Sequence, residues 1–239
     1  MRSFGADRYW LGKEPRTPIS YFGKPSCHSC IKTNKIATGN SVSMGSYIED
    51  FQGDRERNSD IIITIDGMAA TGKGTLAEFI ADKLDLKHFS ASDVFYEVAE
   101  ERGLEDHELS EEAEKELDLE IDRRTVKRAL SQDCVVEGRI PSHALGDYSD
   151  LRTKVTAGLE ERAGRLAKRE DIDRYEASQV VKKRDREDSR RYSDYYNIDT
   201  DNKEIYDLII DNSELGIEEQ NQLVDKVLKQ EFTERYEED

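Results

Sequence analysis

Apolar positions along this chain follow two patterns in alternation. Ile61, Ile62, Ile63, Thr64 and Ile65 make a continuous apolar and β-branched run, as in a strand buried on both faces. From Leu76 to Leu84 the apolar positions instead recur every three or four residues, the period of an amphipathic helix. The alternation then repeats. Lys87 to Ala91 reads as a short second strand, and a helix should run from Ser92, a suitable N-cap, to Gly103, a suitable stop. A charged stretch from about Ser110 to Leu130 carries a thin apolar stripe of Leu117, Ile121 and Leu130, which suits a small helical insert. Asp133 to Pro141 contains a third strand, Leu151 to Ala157 a fourth and more polar one, and Tyr206 to Asp211 a fifth. Helices are predicted from Gly158 to Arg169, from Arg174 to about Tyr196, and from Ile217 to Gln230. Strands alternating with helices predict a doubly wound α/β domain: a five-stranded parallel sheet with helices on both faces.

Before Ser59 no periodicity is sustained. Residues 1–58 hold three of the four prolines, the only tryptophan (Trp10), and nine Lys/Arg against six Asp/Glu. That is about +3 on this segment and about −20 on the rest, from a total of −17. The shift predicts a disordered N-terminal extension over 1–58 and a folded domain over 59–239. Cys27-His28-Ser29-Cys30 could be half of a zinc site or a redox motif, but a tetrahedral metal needs four ligands and no second Cys/His pair lies nearby. The segment has no apolar core of a secretory signal. A start at Met44 is the alternative.

Composition narrows the function. No apolar run approaches the roughly 18 residues that span a bilayer, and three cysteines give no disulfide framework, which fits a cytoplasmic protein. A net charge of −17 argues against a general nucleic-acid binder. It also predicts self-repulsion that salt would screen, and hence tolerance of, or a need for, high salt.

Within this acidic chain, Gly67-Met68-Ala69-Ala70-Thr71-Gly72-Lys73-Gly74-Thr75 joins the first strand to the first helix. A glycine-rich turn in that context wraps backbone N–H groups around a polyphosphate at the helix N-terminus. Gly74 stands where many such loops carry a Ser or Thr that ligates Mg²⁺, so the metal would be held mostly through water and substrate oxygens. Glu137 and Arg139 follow the third strand, at the carboxyl edge where open parallel sheets bind ligands. Arg162, Arg165 and Arg169 lie on one predicted helix, and Arg184, Asp188 and Arg191 share a face of the next at i, i+4 and i+7.

Taken together, Ile65-Asp66-Gly67 through Leu76, Phe89-Ser90-Ala91, Ile121-Asp122-Arg123-Arg124, Val136-Glu137-Gly138-Arg139, Arg165 with Lys168-Arg169-Glu170, Arg184 with Arg191-Tyr192, and Ile205-Tyr206-Asp207-Leu208 with Ile210-Asp211-Asn212-Ser213 resemble the archaeal-type cytidylate kinases. These belong to the nucleoside monophosphate kinases with a phosphate-binding loop, and the resemblance covers about Ile61 to Lys229. It implies a small nucleotide-binding insert and a lid, and transfer of the ATP γ-phosphoryl group to CMP or dCMP with Mg²⁺. It implies that Lys73 and the loop hold ATP, and that Arg139 contacts the monophosphate. Arg165, Arg169, Arg184 and Arg191 would act at or near the lid, while Asp122, Arg123, Tyr96 and Asp188 are substrate-side candidates. A monomer with no nucleic-acid or membrane partner is implied as well. Tyr96 departs from the family, which commonly has an arginine there. Acceptor affinity would then be weaker, or Arg123 or Arg124 would supply the missing charge. A kinase of UMP or AMP, or an ATP-binding regulatory module without turnover, remain as alternatives.

Overall fold

The computed structural model describes residues 31–33, 46–48, 51, 56–103 and 115–236. Its strands are β1 (Ile31–Thr33), β2 (Ile62–Asp66), β3 (Lys87–Ser90), β4 (Cys134–Gly138), β5 (Leu151–Thr156) and β6 (Leu208–Asp211). The helices are α1 (Lys73–Leu84), α2 (Ala91–Arg102), α3 (Lys115–Ser131), α4 (Pro141–Leu145), α5 (Leu159–Glu170), α6 (Arg174–Tyr196), α7 (Ile217–Glu231) and the short α8 (Thr233–Tyr236). Strand order across the sheet is β1-β6-β5-β2-β4-β3. The last five are mutually parallel, as the alternating pattern predicts.

The sixth strand was not predicted. β1 pairs antiparallel with the edge of β6, Ile31 opposite Ile210 and Thr33 opposite Leu208. A second piece of the N-terminal segment is also docked: Ser46 and Ile48 are buried, Ile48 completely. The Cys27–Cys30 motif and Met44 lie outside the described residues, as does most of the expected extension.

Side-chain alternation along the strands divides the core. Ile63 and Ile65 join Leu76, Ile80, Leu84 and the α7 residues Val224, Val227 and Leu228 on one face. Ile62 and Val136 face the other way, onto Val94, Val98, Ile121, Val126 and Leu145 of α2, α3 and α4. Ile48 belongs to this second cluster. α5 and α6 pack on each other through a separate small core of Ala163, Leu166, Ala177 and Val181.

Two local expectations are refined. α2 begins at Ala91 and not after Ser92, because Ser90 closes a capping box: its Oγ accepts from the Asp93 amide at 3.0 Å while its own amide donates to the Asp93 carboxylate at 2.6 Å. β5, despite Thr153 and Lys154, is a buried strand between β6 and β2. The Lys154 side chain is buried, which lowers its ammonium, and the donor finds a partner in the Thr200 carbonyl. Cys134 is core filling, as its apolar strand suggests; burial pushes its thiol up to about 12. Among the described residues no helix is long and apolar enough to cross a membrane.

Candidate active site

The glycine-rich loop leaves the carboxyl end of β2 between β4 and β5. Gly67 permits this course, since a Cβ there would lie 2.6 Å from Thr71 Oγ1 and 2.9 Å from the Val155 carbonyl. The loop then turns through two left-handed residues, Ala70 (φ 59°) and Gly72 (φ 86°), and delivers the chain into α1 at Lys73. No side chain caps this helix, so its first N–H groups and the positive end of its dipole are left for an anion. Polar contacts fasten the loop from outside. Arg165 donates to the Thr71 carbonyl and to both the side-chain and main-chain oxygens of Asn212, each at 3.0 Å. Asn212 Nδ2 donates to the Thr71 carbonyl at 2.9 Å. Arg162, held by a two-pronged ion pair with Asp185 (3.0 and 2.6 Å), reaches the Ala69 carbonyl at 3.4 Å.

Beneath the loop, Asp66 is fully buried and accepts from Ser142 N (2.9 Å), Ser142 Oγ (2.7 Å) and the Tyr206 hydroxyl (2.8 Å). Burial raises its carboxyl to about 6 against the pull of these donors. Lys73 Nζ lies 4.0 Å from Glu137 Oε2. Burial, and then the charge of Arg139, lower the Lys73 ammonium to about 8, while Glu137 and Asp188 hold it up. Glu137 also explains Gly74, where a Cβ would meet its Oε1 at 3.1 Å. The space that a Ser or Thr side chain would take at this position is thus occupied by a carboxylate arriving from β4.

Next to Lys73 opens a cleft of about 870 Å³ between α2, α3 and α6. Phe95, Asp118, Asp122, Arg139, Asp188 and Arg191 line it. Its charges are interlocked. Asp188, buried, takes Arg139 Nε at 2.9 Å and a hydrogen bond from Arg191 Nη2 at 3.1 Å, and Arg191 Nη1 also donates to Asp118 at 3.3 Å. Burial raises the carboxyls of both Asp188 and Asp118, with the guanidiniums opposing it. Asp122 is raised furthest, to about 7, again by burial and against a hydrogen bond from Tyr47.

Of the sequence-derived candidates, the structure brings Lys73, Arg139, Asp122, Asp188 and Arg191 to adjoining positions. Arg165 supports the loop from behind. Arg169 is exposed and paired with Glu170 at 3.0 Å, though close enough to Lys73 to depress its ammonium. Arg184 and Arg123 are exposed and do not line the cleft. Tyr96 is 52% exposed, with its ring edge-on to Phe95 at 5.6 Å, and Arg124 is engaged by Glu101 and Glu120, both at 2.7 Å. Sequence reasoning missed the site roles of Asp118, Asn212 and Arg162, whose partners come from other elements. It also missed Tyr47, for which no local pattern gave a signal.

Known proteins resemble this chain in sequence and in fold. The family model described as the cytidylate kinase-like family matches residues 62–214. A cytidylate kinase of Methanocaldococcus jannaschii is 43% identical over 163 residues, 66% of this chain and 92% of that protein. One from Haloarcula marismortui is 38% identical, covering 64% and 81% respectively. An uncharacterized protein from Eubacterium ventriosum has the same fold, with a TM-score of 0.54 at 17% identity over 71% of this chain and 99% of that one. The match spans the loop, the acid-and-arginine cleft and the Asn212 clamp together, and on that extent the chain belongs to the cytidylate kinase-like family.

Proposed function

We propose that this protein is a cytidylate kinase that moves the γ-phosphoryl group of ATP onto CMP or dCMP, giving ADP and CDP or dCDP. The observation that carries the reading is the adjacency of two anion sites: the uncapped start of α1 with Lys73, and the cleft beside it where Arg139 and Arg191 converge. ATP phosphates fit the first and the acceptor monophosphate the second. An oxygen of the acceptor phosphate attacks the γ-phosphorus in line. As the new P–O bond forms, the bond to the β–γ bridging oxygen breaks and its electron pair leaves with ADP. Lys73 and the loop N–H groups hold the donor phosphates and neutralise the charge gathering on ADP. Arg139 would orient the acceptor phosphate, and Arg191 of α6 would bring a second guanidinium towards the transferring group.

The residues suit Mg²⁺ held chiefly by water and by phosphate oxygens. Asp66 is buried with its oxygens already accepting three hydrogen bonds, Gly74 offers no hydroxyl, and among the described residues no cluster of three His, Cys, Asp or Glu is grouped to cage a metal. When bound, the ion would offset the negative charge of the donor phosphates. The chain's own share is orientation and exclusion of water, so that phosphoryl transfer outruns ATP hydrolysis.

The test is ADP release by the purified chain with ATP and Mg²⁺, offering CMP, dCMP, UMP, AMP and GMP separately. CMP and dCMP should be consumed in preference, and Lys73→Met should lower kcat by on the order of 10²- to 10³-fold or more. Binding of ATP with no turnover on any acceptor would sink the reading.

A further inference from the structure

Tyr47 reaches the wall of the acceptor cleft from behind, and from outside the family-matched segment. The family match begins at residue 62, yet the Tyr47 hydroxyl donates to Asp122 Oδ2 on α3, in the wall of the cleft. Its position is fixed from both sides. Ser46 and Ile48 are buried, Ser46 Oγ accepts from the Ile48 amide at 3.1 Å, and Ile48 is embedded in the core against α2 and α3. The Tyr47 ring packs on Tyr196 of α6 at 4.6 Å between centroids, and Tyr196 in turn stacks with Tyr192 at 6.4 Å. One side chain therefore ties the two walls of the cleft together, α3 through its hydroxyl and α6 through its ring.

A pyrimidine with an exocyclic amino group presents a donor where uracil presents a carbonyl acceptor. A carboxylate that faces this edge accepts from the first and repels the second; a protonated one can donate to the carbonyl and loses the distinction. We propose that Tyr47 is a positioning residue for the acceptor base, holding Asp122 as an anionic acceptor and thereby favouring cytosine over uracil. The proposal deepens the cytidylate kinase reading and rests on it.

The groups around Asp122 show why a holding residue is needed. Burial penalises its negative charge most, and Asp118, one turn away on α3, repels it further. From α6 come the charge of Arg191, which favours the carboxylate, and the hydroxyls of Tyr192 and Tyr196, whose ionisation is suppressed chiefly by burial. Tyr47 supplies the hydrogen bond that opposes protonation.

Tyr47→Phe in the full-length protein deletes the hydroxyl and keeps the ring. KM for CMP at pH 7.5 should rise by about tenfold, the scale of one charge-assisted hydrogen bond, with kcat and KM for ATP within about twofold. The preference for CMP over UMP should fall by a similar factor, and the acid limb of kcat/KM for CMP should move to higher pH. In an Asp122→Asn background the same substitution should change KM for CMP no further. An unaltered KM and pH profile would overturn the proposal, as would an equal effect in the Asp122→Asn background. A loss spread over KM for ATP and melting temperature would also overturn it, because the role would then be structural alone. A wild-type chain that transfers nothing to CMP would instead remove the kinase reading, and this role with it.

Discussion

Lys73 sits among opposed influences. Burial and Arg139 lower its ammonium to about 8, and Glu137 resists. A polyphosphate brought onto the loop adds negative charge beside it and must raise that value. With that ammonium lowered in the free enzyme, ATP binding near pH 8 should take up part of a proton, and the uptake should shrink as the pH falls below that range. Titration calorimetry at pH 8 in two buffers of different ionisation heat would show the uptake as a buffer-dependent enthalpy, absent in Lys73→Met. Equal enthalpies in both buffers would mean that Lys73 is fully charged before ATP arrives. At this scale the sequence pointed to residues that the structure brings together: Lys73 from its loop, Arg139 from its place after a strand, Asp188 and Arg191 from their helical spacing. It did not show that Arg165 faces the back of the loop. Three donors at known spacing on a helix do not say which element will be opposite them.

Among the elements, α1 and β4 meet at Gly74 and Glu137. Alanine there would favour the helix by up to about 1 kcal/mol, but its Cβ would press on Glu137 Oε1 from 3.1 Å. The two effects are separable. Gly74→Ala should raise the melting temperature in a Glu137→Ala background and raise it less, or lower it, in the wild type. Additive shifts would show that Glu137 moves aside without cost. This contact could not be read from the sequence, because Gly74 and Glu137 are far apart in the chain and are brought together by the parallel pairing of β2 with β4. The elements themselves were legible, since strand and helix each impose a period on burial. Edges were less so: Ser90 and Ser92 are both credible caps, and only the reciprocal bond with Asp93 decides for Ser90. β1 was illegible for another reason. Three residues cannot display an alternation, and their partner strand lies near the far end of the domain.

For the molecule as a whole, a charge of −17 is the dominant long-range term. Many of its carboxylates are committed to close pairs, such as Asp188 with Arg139 and Arg191, and Asp185 with Arg162, which salt weakens little where they are buried. The remaining exposed acids repel one another, and raising KCl from 0.1 to 1 M shortens the screening length from about 10 to 3 Å. The melting temperature should therefore climb by ~3 °C or more over that range, as read by circular dichroism. A flat or falling trend would show that exposed ion pairs outweigh the repulsion. The edge strand β1 bears on how the molecule is made. β6, on which it pairs, is translated about 180 residues later, on the order of ten seconds or more at ordinary elongation rates. The earliest strand of the sheet is thus among the last to be placed, and through that interval a nascent chain must keep its unpaired backbone from neighbouring chains on the same message.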